Sequence, residues 1–206
     1  MQDLRTYLHS VRDEVLHIRK EVDPLTQMGA LCSESERPIV FENVKGYPGW
    51  RVCDRIISNR AMQAVVLGVD PKRVVPELAR RLSQGPGEIR TAESAPCKEQ
   101  IWLGKEADLL RLPIAIHSEG DGGRYIGGGI HITRDPDTGV QNECILRTQI
   151  KGRHHTGFMM ARRHNYEHFK KHQSRKEPMP MAIAIGLHPA YEIAAVYSGR
   201  HAGYDE

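Results

Sequence analysis

The chain has 206 residues, 39% hydrophobic and 6% aromatic, enough to bury a core as one large or two small domains. Its 29 Lys and Arg against 26 Asp and Glu leave little net charge, so charge alone predicts no polyanion and nucleic acid is not expected as a partner. No apolar run approaches the ~20 residues that span a bilayer, MQDLRTYLHSVRDE lacks a signal-peptide core, and the cysteines form no CxxC pair; a cytoplasmic protein with reduced thiols and no membrane partner is expected.

Residues 3–20 read as an amphipathic helix, with Asp3 as N-cap and Leu4, Leu8, Val11, Val15 and Ile18 on one stripe. Alternation around a Gly/Pro turn predicts a hairpin over 38–52. Asp70-Pro71 is an N-cap followed by proline at the first helical position, and Gly85-Pro86-Gly87 stops that helix. A soft boundary near residue 105 then leads into glycine-rich sequence. Strands are expected at 129–134 and 140–150, joined by the turn Asp135-Pro-Asp-Thr-Gly139. A helix over about 157–172, a buried strand over 181–186 and a short helix near 190–196 follow.

Two constellations stand out. Residues 151–177 hold eight Lys and Arg against two acids, a pattern that suits either a phosphate grip or a solvated helix face. Within it, His164-Asn-Tyr-Glu-His168 matches H-x-x-E-H, where imidazoles one helical turn apart share zinc and Glu167 serves as general base. A chance match among eleven histidines is the other reading. The closing Asp205-Glu206 reads on its own as a solvated tail.

In chain order, Asp3-Leu-Arg5, Phe41-Glu-Asn-Val-Lys-Gly-Tyr47, Ser94-Ala-Pro-Cys-Lys-Glu99, Asp108-Leu-Leu-Arg-Leu-Pro-Ile114, Tyr125-Ile-Gly127, Arg134-Asp-Pro-Asp-Thr-Gly139, Asn142 to Arg147, Pro178 to Gly186 and Gly203-Tyr-Asp-Glu206 carry a resemblance across essentially the whole chain. They resemble the UbiD family of decarboxylases, which use prenylated FMN (prFMN). The resemblance implies an α+β fold: an N-terminal mixed α/β domain over 1–105, then part of a split β-barrel (flavin-reductase-like) cofactor-binding domain over 106–206.

It also implies a set of site residues. Asn142, Ile145 and Arg147 match the family's Asn-x-x-Ile-x-Arg strand beside the flavin. Asn142, His164 and Glu206 match its ligands for Mn2+ (or Mg2+), a donor set suited to an ion that also holds phosphate oxygens. Arg163 falls at a cofactor-phosphate contact, and the carbonyls of Ala195 and Ser198 are candidates, with Glu206, for K+. On this view His168 is incidental.

The implied reaction is reversible, non-oxidative decarboxylation of an aromatic or α,β-unsaturated acid, with a lean toward the hydroxyarene-acid branch. Arg147 would handle the substrate carboxylate. Family members continue beyond Glu206 with two catalytic glutamates, a phosphate-binding lysine and a domain carrying oligomer contacts. The chain is therefore expected to be short relative to the family: a homo-oligomer at full length, or a non-catalytic cofactor-binding subunit needing a C-terminal partner. A small zinc hydrolase built on His164 and His168 is the remaining alternative.

One expectation is geometric. Asn142 and Arg147 are five residues apart and would face opposite sides of a regular strand. To share a site they need a bend or break between them.

Overall fold

The computed structural model describes residues 3–85 and 91–197. Asp3 accepts a hydrogen bond from the Thr6 amide at 2.8 Å, satisfying an orphan N–H at the start of α1 (Leu4–Ser10). The helix expected over 3–20 stops there. Leu16–Ile18 instead form β1, which pairs in parallel with β2 (Ile39–Phe41). Leu4, Leu8, Val11 and Val15 still pack into one cluster with Tyr7, Val40, Ile56 and Met62. The apolar stripe is therefore served by a helix and a turn, because β2 is buried throughout and offers the next residues a backbone partner.

The expected hairpin closes as β2 against β3 (Val52–Asp54), antiparallel, with Phe41 opposite Val52. Two helices that periodicity did not reveal, α2 (Met28–Glu34) and α3 (Arg60–Leu67), complete this half. Asn59 caps α3 through the Met62 amide at 3.0 Å, and Gly68 ends it at φ +68°. Asp70 accepts from the Lys72 amide at 2.8 Å and opens a 3-10 turn that runs into α4 (Val74–Ser83). Pro86 and Gly87 of the expected stop lie outside the described residues.

The second half holds two small antiparallel sheets. One has the order β4 (Tyr125–Ile126), β7 (Thr148–Ile150), β8 (Thr156–Gly157). The other has the order β6 (Gln141–Ile145), β5 (Ile130–Arg134), β9 (Ala182–Ala184). The β5–β6 turn is the expected one: the Gly139 amide donates to the Asp135 carbonyl at 2.9 Å and Gly139 sits at φ +74°.

Helix α5 spans His164–Ser174, not 157–172, because β8 takes residues 156–157 as partners of β7. Lys171 reaches back from α5 to the buried Asp135 at 2.7 Å and ties the helix to the β5–β6 turn. The short helix near 190–196 is α6 (Pro189–Ala195). It packs on α3, β5 and β6, while the His188 ring at its start meets Tyr7 edge-on at 5.8 Å. The chain is thus a mixed α/β structure with several small sheets. Among the described residues, no helix is long and apolar enough to cross a membrane.

The two halves also touch backbone to backbone. Helix α2 passes so close to His117 that a Cβ on Gly29 would lie 2.5 Å from the His117 carbonyl oxygen. Neither side is a flexible side chain. Gly29→Ala is therefore expected to destabilise the fold by about 1–3 kcal/mol, despite alanine's better helix propensity. Urea unfolding measures this; wild-type stability in the variant would contradict the close approach.

Candidate functional site

The strand expected over 140–150 is two strands. It pairs with β5 as far as Ile145, breaks at Leu146–Arg147, and resumes at Thr148 in the other sheet. The interruption expected between Asn142 and Arg147 falls there. Two fully buried groups, His131 of β5 and Thr148 of β7, hold it. His131 Nδ1 donates to the Gly129 carbonyl (3.1 Å), which leaves Nε2 as the acceptor facing the Thr148 hydroxyl at 2.7 Å. That hydroxyl also lies 3.1 Å from the Leu146 carbonyl, at the break itself. Burial holds the His131 pKa below its ordinary value, consistent with a neutral ring.

On the β6 side of the break, His164 Nδ1 lies 3.2 Å from Asn142 Oδ1. Adjacent ligands of an octahedral ion with bonds of about 2.1 Å stand roughly 3 Å apart. The amide oxygen and the ring nitrogen stand at about that spacing and could hold a divalent ion between them. Both are partly buried, with Asn142 on β6 and His164 opening α5. Glu206, the third expected ligand, and Ser198 lie outside the described residues. Ile145 ends β6, half-buried; Arg163 is the exposed N-cap of α5; Ala195 is the buried last residue of α6.

On the other side, the Arg147 guanidinium lies over the Tyr125 ring at 4.1 Å and donates through Nη2 to Asp121 Oδ1. Asp121 is itself anchored, its Oδ2 accepting from the Ser118 amide at 3.2 Å. The hydrogen bond from Arg147 holds the Asp121 carboxyl below the usual range. Gln149 Nε2 donates to the Gly122 carbonyl at 2.6 Å, fixing the glycine-rich loop to β7. Arg147 itself remains more than half exposed.

His117, at the start of that loop, meets Asp54 of β3 at 3.1 Å between Nε2 and Oδ2. The hydrogen bond that His117 donates to Asp54 raises the His117 pKa above its ordinary value. For Asp54, burial alone would raise the carboxyl, but the bonds from His117 and the Arg55 amide outweigh it and the net shift is downward.

His168, which the zinc reading needs, is fully buried with Nδ1 2.8 Å from the Thr133 hydroxyl. Among the described residues no group of three or more His, Cys, Asp or Glu side chains is placed to hold a metal ion. Part of the basic run is engaged internally: Lys171 and Arg175 pair with Asp137, and Arg153 with Asp108. Sequence reasoning missed Asn165, whose Oδ1 takes the Asn142 amide at 2.6 Å, along with Thr133, Asp121, His131 and Thr148. Asp121 lay in the noted glycine-rich stretch; the others had no local signal, since their partners lie 17 to 35 residues away.

The profile of the 3-octaprenyl-4-hydroxybenzoate carboxy-lyase (UbiD) Rift-related domain matches residues 89–206, and that of the family's N-terminal domain matches 9–82. The chain is 30% identical to a phenolic acid decarboxylase of Streptomyces sp. (strain D7), over 99% of this chain and 46% of that protein. It is 29% identical to an anhydromevalonate phosphate decarboxylase of Methanothermobacter thermautotrophicus, over 95% and 45% respectively. Among solved structures, an evolved dimeric form of the UbiD-class enzyme HmfF from Pelotomaculum thermopropionicum, in complex with prFMN, superposes with a TM-score of 0.90 at 34% identity, over 97% of this chain and 48% of that one. The chain spans about half the length of the relatives it matches.

Two measurements check this geometry. Thr148→Val removes the hydroxyl that donates to a buried imidazole nitrogen and is expected to cost about 1–3 kcal/mol in urea unfolding; an unchanged stability would show that the break is held otherwise. By NMR titration His117 is expected to show a pKa above its ordinary value, falling toward ~6.5 in Asp54→Asn. Because its folded pKa is raised, His117 contributes stability that is fully present below pH ~6.5 and lost as pH rises through the folded value. An unshifted His117 in the wild type would contradict the pair.

Proposed function

The chain belongs to the UbiD carboxy-lyase family, and from that membership we propose that it carries the cofactor-holding part of a prFMN-dependent decarboxylase for aromatic or α,β-unsaturated acids. The observation that carries the reading is the 3.2 Å approach of Asn142 Oδ1 and His164 Nδ1 across β6 and α5. Asn142, His164 and Glu206 would hold Mn2+ or Mg2+, which would supply positive charge for the cofactor phosphate. Arg163 adds a positive charge beside that phosphate, and the carbonyls of Ala195 and Ser198, with Glu206, hold K+. Ile145 supplies an apolar contact to the ring system. In this reading residues 106–206 form part of a split β-barrel, residues 1–105 form the α/β domain, and the intact protein is a cytoplasmic homo-oligomer.

Loss of CO2 from an sp2 carbon leaves an electron pair with no low-energy place to go, and prFMN, when bound, supplies the sink. The task of Arg147 is to orient the substrate carboxylate. Asp121 takes one of its nitrogens and Tyr125 supports its face, so the remaining N–H groups present a fixed fork to an anion. Relatives of the chain are phenolic acid and vanillic acid decarboxylases, which favours a hydroxyarene acid as substrate.

A second reading rests on the share of its relatives that the chain spans, 45% to 48%. In it, this polypeptide binds cofactor and metal, and turnover needs the groups of a C-terminal portion.

The test is uptake of prFMN with Mn2+, followed by its absorbance, together with CO2 release from a hydroxyarene acid. Asn142→Ala and His164→Ala are expected to weaken Mn2+-dependent uptake by about tenfold or more. Arg147→Ala is expected to keep uptake and lose CO2 release by about a hundredfold. Uptake without turnover, restored by a C-terminal portion, selects the second reading. Uptake indifferent to Asn142 and His164 overturns both.

A further inference from the structure

Metals bind the oxygen of an asparagine amide, not its nitrogen, yet a half-turn about the last side-chain bond exchanges the two. A ligand asparagine needs something that reads its other end. In this fold that end of Asn142 meets Asn165, the second residue of α5 and only 5% exposed. Asn165 Oδ1 accepts from Asn142 Nδ2 at 2.6 Å and from the Thr133 hydroxyl at 2.7 Å, while its Nδ2 donates to Cys144 Sγ at 3.0 Å.

The relay continues inward. The Thr133 hydroxyl has one proton and gives it to Asn165, so His168 Nδ1, 2.8 Å away, donates to that hydroxyl. Thr133 and His168 are 2% and 0% exposed, so bulk water cannot stand in for these partners. Reversing Asn165 alone would set its amino group against that of Asn142, donor against donor. Relieving that clash would turn Asn142, which then presents nitrogen where its oxygen now faces His164. The two amides are linked, and one setting of the pair is competent for a metal.

Resting on the metal reading above, we propose that Asn165 is a positioning residue that locks the Asn142 amide with its oxygen toward the ion, with Thr133 and His168 as its buried anchor. It touches neither metal nor substrate and acts through Asn142. The His164-Asn-Tyr-Glu-His168 motif thereby gains a physical role: one histidine faces the ion, and the other stands at the far end of the hydrogen-bond chain that orients its neighbouring ligand.

The probe is Mn2+ alone, titrated into the protein and followed by the EPR signal of the free ion. Wild type is expected to bind and Asn142→Ala to lose binding. Asn165→Leu, of similar size but with no acceptor, is expected to bind about tenfold more weakly or worse. Asn165→Asp keeps the acceptor and is expected to stay at least as tight as about threefold below wild type. Wild-type affinity in Asn165→Leu, with binding lost in Asn142→Ala, would overturn the role of Asn165 and leave the metal site standing. Equal loss in both Asn165 variants would make its role structural and also overturn it. No binding by wild type, or retention in Asn142→Ala, would sink the metal reading and this inference with it. One measurement needs no variant: in wild-type NMR spectra a side-chain amide proton of Asn142 should exchange slowly, and free-amide exchange of both would refute the lock.

Discussion

A β-strand turns successive side chains to opposite faces, and the site depends on escaping that alternation once. Between Asn142 and Arg147 the chain leaves one sheet and enters another, with Leu146 and Arg147 belonging to neither. The break lets one short segment serve two surroundings: Asn142 meets α5, and Arg147 meets the loop at 118–123 and the Tyr125 ring. A break also strands backbone groups that a regular ladder would pair. The Thr148 hydroxyl, beside the Leu146 carbonyl, donates to His131 of the neighbouring sheet, so the interruption is a braced joint.

Both sides of the joint share a construction principle. Buried polar side chains cost free energy unless each finds its partner, and here the partners come from distant parts of the chain. His131 and His168 act as neutral hydrogen-bonding struts, their pKa values lowered by burial. Asp121 and Asp54 remain ionised against Arg147 and His117. The N-terminal half contributes by support: Asp54 grips His117, and α2 meets the same residue's backbone at Gly29. The loop that holds Asp121, and through it Arg147, is therefore anchored in the N-terminal half of the chain.

How much of this was legible depends on the distance over which each feature acts. Asp3, Asp70 and Gly139 act on residues within four positions, and all three read correctly. The stretch from Val11 to Ile18 misled because its apolar stripe is real, while the decisive fact, a parallel partner at Ile39–Phe41, is more than twenty residues away. The start of α5 was placed early for a similar reason, since Thr156–Gly157 pair with β7. In the site, Asn142, Arg147 and His164 were found through motif resemblance, and the break followed from strand period together with the requirement that Asn142 and Arg147 share a site. Asn165 was hidden inside a motif that drew attention to its two histidines. No periodicity marks a residue whose role is to orient another.

The central claim is that Asn142 and His164 share a divalent ion beside the braced joint that presents Arg147. The most direct test is a crystal structure of the protein grown with Mn2+ and prFMN, with data collected at the manganese absorption edge. The account predicts an anomalous peak bonded to both Asn142 Oδ1 and His164 Nδ1 at about 2.1–2.2 Å. A peak elsewhere, or Asn142 with its nitrogen turned toward His164, would contradict it.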